Sequence, residues 1–176
     1  MTSNLRRVLI LLCAPLLMFA AAACSSDSGS GGASASASAG TTNLTANEVQ
    51  VSGTGAVMKV TFPFPASATE LSSKDVVVGT GATAKLNDNI TVNYYLAGGL
   101  TGNKIESSFD SGEPANFPLT EGGLIKGWTE GIPGMKVGGE RILVVPGDLA
   151  YGANPTSPDI QPNETLIFVV QLTKIS

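Results

Sequence analysis

The chain has 176 residues, a formal net charge of −4 from 10 basic and 14 acidic residues, no histidine, and two cysteines, Cys13 and Cys24. That length supports one ordinary core, and the lack of histidine removes Ser-His-Asp chemistry and His-ligated zinc. Basic residues are few and scattered, which argues against nucleic acid as a partner.

At the N-terminus, Arg6 and Arg7 precede an apolar run from Val8 to Phe19, and Ala21, Ala22 and Ala23 lead into Cys24. A positive start, a short apolar stretch and small residues form the layout of a secretory signal, too short for a permanent membrane span. The Ala-Ala-Ala-Cys junction resembles a bacterial lipoprotein box. The resemblance implies a signal peptide over 1–23, cleavage before Cys24, and a lipid on its sulfur. The expected location is the extracytoplasmic face of the cell membrane, reached through the lipid anchor only. An ordinary secretory cut is the plainer alternative. Residues 24–42 read as the lipidated cysteine and a tether of Ser, Gly and Ala, which cannot bury enough apolar surface to fold. The 18 residues from Ser25 to Thr42 would reach roughly 20–25 Å. With Cys13 in the leader and Cys24 acylated, no thiol nucleophile, disulfide or cysteine metal site remains.

Residues 43–74 read as an N-terminal extension with one or two strands, among them "VMKVTF" at 57–62. Next come "DVVV" at 75–78 and "ITVNYYL" at 90–96, where Ile90, Val92, Tyr94 and Leu96 share one face. "LIKGWTEGIPG" at 124–134 is the one helix candidate. Leu124, Trp128 and Ile132 stand at i, i+4 and i+8, and Pro133 and Gly134 end it. Gly127 and Gly131 weaken it by about 1 kcal/mol each, so tertiary packing must hold it. "ERILVVP" at 140–146 and "TLIFVVQLTKI" at 165–175 read as buried central strands. Antiparallel strands with one short packed helix make an α+β fold. Glu106, Asp110 and Glu113 form a carboxylate cluster in a Ser/Gly-rich loop; such a cluster is more often a solvated face than a metal or acid–base site.

Taken together, "ITVNYY", "GNKIESSFDSGEPANFPL" (102–119), "LIKGWTEGIPGMKVGGER" (124–141), "LAYG" (149–152) and "NETLIFVVQL" (163–172) resemble the FKBP-type peptidyl-prolyl cis–trans isomerases over about residues 75–176. The resemblance implies an antiparallel sheet of about five strands wrapped around one short helix, with a pocket between them. It places the substrate-binding aromatic lining on Tyr94, Phe117, Trp128, Tyr151 and Phe168. The aliphatic wall falls on Leu124, Ile125 and Ile160, and Ile105 stands in an aromatic slot. Trp128 becomes the floor under a substrate proline, Tyr151 the hydroxyl donor to a substrate carbonyl, and Ile125 a backbone N–H donor. Glu106 fills the family's acidic slot and completes the catalytic set with Tyr151 and Trp128. A second register puts Phe109 and Asp110 in those two slots instead. Ala115 and Asp159 stand where many members carry larger apolar residues, which implies a smaller and more polar rim.

What the resemblance implies is isomerisation of X-Pro bonds in exported polypeptides, by noncovalent stabilisation of the twisted amide, with no cofactor and no metal, and binding of macrolide ligands. The alternative is a non-catalytic binding or chaperone module of the same fold tethered to the membrane. A solute-binding lipoprotein is a weaker third reading, because such receptors usually need two lobes.

Overall fold

A computed structural model describes residues 42–176. The expected signal peptide, Cys24 and the expected tether up to residue 41 lie outside the described residues.

The main sheet is built from β5 (Ser72–Val77), β6 (Asn89–Gly98), β7 (Lys104–Ser107), β8 (Ala115–Pro118), β9 (Glu140–Val145) and β10 (Leu166–Ile175). They run in the order β5-β9-β10-β6-β7, with β8 also paired to β6. Every pairing in it is antiparallel. The resemblance implied about five strands; the sheet has six segments. The difference lies at one edge. β6 is ten residues long, about 30 Å at the usual rise, and two short strands share its free side. β8 pairs with Asn89–Val92 and β7 with Tyr95–Ala97. The first strand also begins earlier than the "DVVV" run, at Ser72, and Val78 lies beyond its end.

Alternation along β6, β9 and β10 sends apolar side chains to both faces. Ile90, Val92, Leu96, Leu143, Val145, Leu166, Phe168 and Val170 belong to a core that includes Trp128 and Ile132. Tyr95, Ala97, Ile142, Val144, Ile167 and Val169 point the other way, into a second core completed by Leu44, Ala46, Val49, Met58, Val60, Phe62 and Ala66. That outer layer is organised by β1 (Thr42–Asn43), β2 (Gln50–Ser52), β3 (Lys59–Thr61) and β4 (Ala66–Ser67), with only Val60 and Ala66 inside the strands and Leu44, Ala46, Val49, Met58 and Phe62 in the connections. β1 pairs with β4 in parallel, and β2 with β3 antiparallel. The continuous apolar run of β10 is the signature of a strand covered on both sides. Among the described residues no helix is long and apolar enough to cross a membrane.

The helix, α1, spans Lys126–Gly131. It is shorter than the spacing of Leu124, Trp128 and Ile132 predicts: Leu124 sits in the turn before it and Ile132 is its C-terminal cap. Its two glycines let it lie against β9. A Cβ on Gly127 would overlap the Val145 methyls, and one on Gly131 would sit 2.8 Å from Leu143 Cδ2. Arg141 fixes the other end. Its guanidinium donates to the Gly131 carbonyl at 2.8 Å and to both Asp75 oxygens at 2.6 and 3.1 Å. One cation thus ties β5, β9 and the negative end of α1 together.

Candidate functional site

Between α1 and the inner face of the sheet lies a cavity of about 680 Å³, within the range of small-ligand pockets. Trp128 is its floor. The residue is only 4% exposed, and its ring meets Tyr94, Phe117 and Phe168 edge-to-face at centroid distances of 5.8, 5.3 and 5.5 Å. These three rings come from β6, β8 and β10 because alternation turns each inward; Phe117 stands opposite Ile90, and Val170 opposite Tyr94. The indole Nε1 is buried with no hydrogen-bond acceptor among the described residues.

The acidic wall is built by a bulge. β7 shifts register between Leu96 and Ala97, pairing Glu106 with Leu96 and Lys104 with Ala97, so Ile105 is the extra residue. Bulges re-aim side chains, and here Ile105 packs against the inner core while Glu106 reaches the cavity. The two serines that follow hold the strand in place. Ser108 Oγ accepts from the Tyr94 N–H at 2.9 Å, and Ser107 Oγ donates to the Tyr94 carbonyl at 3.2 Å.

The remaining walls are loops. Leu124 and Ile125 enter from the turn before α1, and the Ile125 carbonyl accepts from Trp128 and Thr129. Among the described residues the Ile125 N–H has no protein acceptor. Opposite, a 3₁₀ turn at Gly147–Leu149 leads to Ala150 and Tyr151, and bonds from Gly152 to the Gly147 carbonyl and from Asn163 to the Gly152 carbonyl close the loop at 2.8 and 2.7 Å. Tyr151 stands 41% exposed at this rim.

Residues 81–173 match the profile of the FKBP-type peptidyl-prolyl cis–trans isomerases. A probable FK506-binding protein of Corynebacterium glutamicum is 39% identical over 114 residues, which cover 65% of this chain and 94% of that one. The chain belongs to the FKBP-type peptidyl-prolyl cis–trans isomerase family. An FK506-binding protein of Streptomyces anulatus is 38% identical over 66% of this chain and 95% of its own length. FkpA from Escherichia coli superposes with a TM-score of 0.55 at 40% identity, over 61% of this chain but only 49% of that one. AtFKBP13 gives a TM-score of 0.55 at 32% identity, over 62% of this chain and 96% of that one. The chain is an isomerase of this family.

In this FKBP-type domain one carboxylate acts on two phenols. Tyr94 Oη donates to Glu106 Oε1 at 2.6 Å. Burial, and then the bond to Glu106, push the Tyr94 phenol well above the usual tyrosine range. Burial also raises Tyr151, with the Glu106 charge adding to it. Both hydroxyls therefore stay protonated as donors through neutral pH.

Glu106, not Asp110, stands beside Tyr94; Asp110 forms an ion pair with Lys104 at 2.6 Å. The structure thus takes the Ile105–Glu106 register. It brings Tyr94, Glu106, Phe117, Leu124, Ile125, Trp128, Tyr151 and Phe168 to one cavity. Ile160 and Ile105 do not line that cavity. Ile160 is buried in the inner core and Ile105 packs against that core; Ala115 and Asp159 do not reach the lining either. The carboxylate cluster is dispersed, and among the described residues no group of three metal-ligating side chains is placed to hold an ion. Leu96, Lys126 and Asp148 also line the cavity. Leu96 was legible in the alternation of β6; Lys126 and Asp148 carry no sequence signal beyond neighbouring Trp128 and Tyr151.

Proposed function

We propose that this domain isomerises X-Pro bonds of exported polypeptides at the membrane surface, held there by a lipid on Cys24, and that it does so without covalent chemistry. The observation that carries the catalytic part is the aromatic box: a flat indole floored into a cavity by three edge-on rings. Rotation about an X-Pro bond meets a barrier of about 18–20 kcal/mol, while cis and trans differ by only about 0.5–1 kcal/mol. Twisting the amide breaks its resonance and removes charge from the carbonyl oxygen. A water-poor aromatic site favours that less polar twisted state over the planar one, which water solvates better.

In this reading the proline ring stacks on Trp128 between Tyr94, Phe117 and Phe168. The Tyr151 hydroxyl and the Ile125 N–H donate to substrate carbonyls. Glu106 acts by holding the Tyr94 hydroxyl, which fixes the wall ring against the floor. An acceleration of about 10⁴ needs only about 5.5 kcal/mol of differential stabilisation, so the lack of histidine and free cysteine is no handicap. Because several relatives are FK506-binding proteins, we assign the same pocket to FK506-like macrolides.

Magnetisation-exchange NMR on an X-Pro peptide tests the mechanism. Tyr151→Phe should slow exchange several-fold while leaving the melting temperature nearly unchanged, since one hydrogen bond contributes about 0.5–1.5 kcal/mol. Unchanged catalysis would remove Tyr151 from the mechanism. The anchor has its own test. Cys24→Ser should release the protein from membranes or block maturation, and normal processing with retention on membranes would show that the cysteine is not the anchor.

A further inference from the structure

The outer layer carries a fixed apolar surface that the pocket does not use. Phe64 is 60% exposed and Leu100 is 40% exposed. Neither is loosely held. The Phe64 ring rests on Gly102, where an added Cβ would sit 2.6 Å from Cδ1, and it meets buried Phe62 edge-on at 6.3 Å. Leu100 lies in the same turn, and its N–H donates to Glu164 Oε1 at 3.1 Å. The Ala66 N–H donates to the Gly99 carbonyl at 2.9 Å, clamping the two segments together.

Single exposed apolar residues need no explanation. The position of this pair does. Thr42 pairs with Ala66 in the parallel β1–β4 ladder, so the chain arriving from residue 41 enters the domain two residues from Phe64. We infer that Phe64 and Leu100 are the membrane-contacting surface of the domain and dip into the apolar boundary of the bilayer. The inference rests on the lipid-anchored reading of Cys24. From that cysteine a tether of 18 residues leads to Thr42, with a reach of roughly 20–25 Å if unfolded. The surface at the root of so short a tether meets the bilayer most often.

The chemistry of the patch selects its occupant. It is apolar rather than basic; Lys104, two residues beyond Gly102, is already paired with Asp110. Contact with the hydrocarbon boundary fits it better than recognition of anionic headgroups. Two side chains also fall far short of the roughly 800 Å² per partner that a stable protein interface needs, which disfavours a second copy. The same contact has a consequence for the pocket. Glu164, which holds Leu100, directly follows the loop that carries Tyr151 and is closed at Asn163. Docking here would keep the pocket mouth near the membrane, where exported chains emerge.

The lipidated chain has no free thiol, so Leu100→Cys introduces a unique spin-label site. Leu86 is 39% exposed and precedes the other end of β6, about 30 Å away along the strand; Leu86→Cys is the matched control. In phosphatidylcholine vesicles, the label at position 100 should be accessible to oxygen and several-fold less accessible to a water-soluble nickel reagent than the label at 86. Adding Phe64→Ser should return the label at 100 to water. Equal nickel accessibility at both sites in co-floating protein overturns the docking surface and leaves the anchor standing. Failure of the wild-type chain to float with vesicles overturns both. Spin–spin broadening at 100 would assign the patch to a second copy, also against the inference.

Discussion

Replacing Gly127 by alanine separates two opposed effects whose sizes the structure sets. On an exposed helix the change stabilises by about 1 kcal/mol. Here the new Cβ would overlap both methyls of Val145, a residue with no exposure that cannot swing outward. Overpacking of that kind costs about 1–3 kcal/mol, so the net effect is a loss of roughly 0–2 kcal/mol. Trp128 is the next residue, so any recoil of α1 moves the pocket floor and lowers catalysis beyond the stability change. Val145→Ala alone removes two methyl groups, a loss of about 1.6 kcal/mol in transfer before the cavity is counted. In the double variant the alanine at 127 fills part of that cavity and relieves the overlap. The two changes should therefore couple favourably by about 1–3 kcal/mol. Urea unfolding of the four proteins measures the coupling, and peptide exchange rates measure the recovery of the pocket. If Gly127→Ala stabilises by about 1 kcal/mol and the effects simply add, α1 does not approach β9 as described.

Other consequences can be checked independently. Burial, with the Glu106 charge adding to it, raises both pocket phenols above the usual tyrosine value of about 10, so catalysis should persist to at least that pH; Glu106→Gln removes the smaller, charge part of the shift, and the alkaline limb should move to lower pH. Burial raises the Glu140 carboxyl, so the fold favours its neutral form and loses stability as pH rises from the ordinary carboxylate range through the raised value. Glu140→Gln should therefore stabilise at neutral pH, with the gain vanishing below about pH 4; a gain independent of pH in urea midpoints would refute that. Phe62, a buried member of the outer layer, should lose about 3–5 kcal/mol on replacement by alanine, and a loss below about 1 kcal/mol would show that the layer is not a true second core.

Much of this site was legible in the chain. Period-two alternation in "ITVNYYL" and "TLIFVVQL" placed Tyr94, Leu96 and Phe168 on one face, and the glycines beside Trp128 marked a close approach that Val145 and Leu143 now explain. The outer layer was harder to see. Most of its apolar residues lie in the connections between strands of two or three residues, where periodicity has no run to act on, and their partners in β9 and β10 lie about a hundred residues away. β7 and β8 share one edge of the ten-residue β6, and β7 carries a bulge opposite Leu96 and Ala97; local pattern reveals neither. Leu124 fell outside the helix because three correctly spaced residues cannot extend a glycine-rich stretch of low helix propensity against the Glu121–Leu124 bridge that precedes it.

The most direct test of a noncovalent aromatic pocket uses its floor. Trp128 is the only tryptophan in the chain, so its emission reports that one place. Trp128→Leu keeps apolar character and loses the flat stacking surface. Exchange NMR on an X-Pro peptide should show kcat/KM reduced about tenfold or more, equivalent to about 1.4 kcal/mol, in a variant that still melts cooperatively. Wild-type emission should change saturably with the same peptide. A leucine variant that isomerises at the wild-type rate, with wild-type emission indifferent to every proline ligand, would contradict the account.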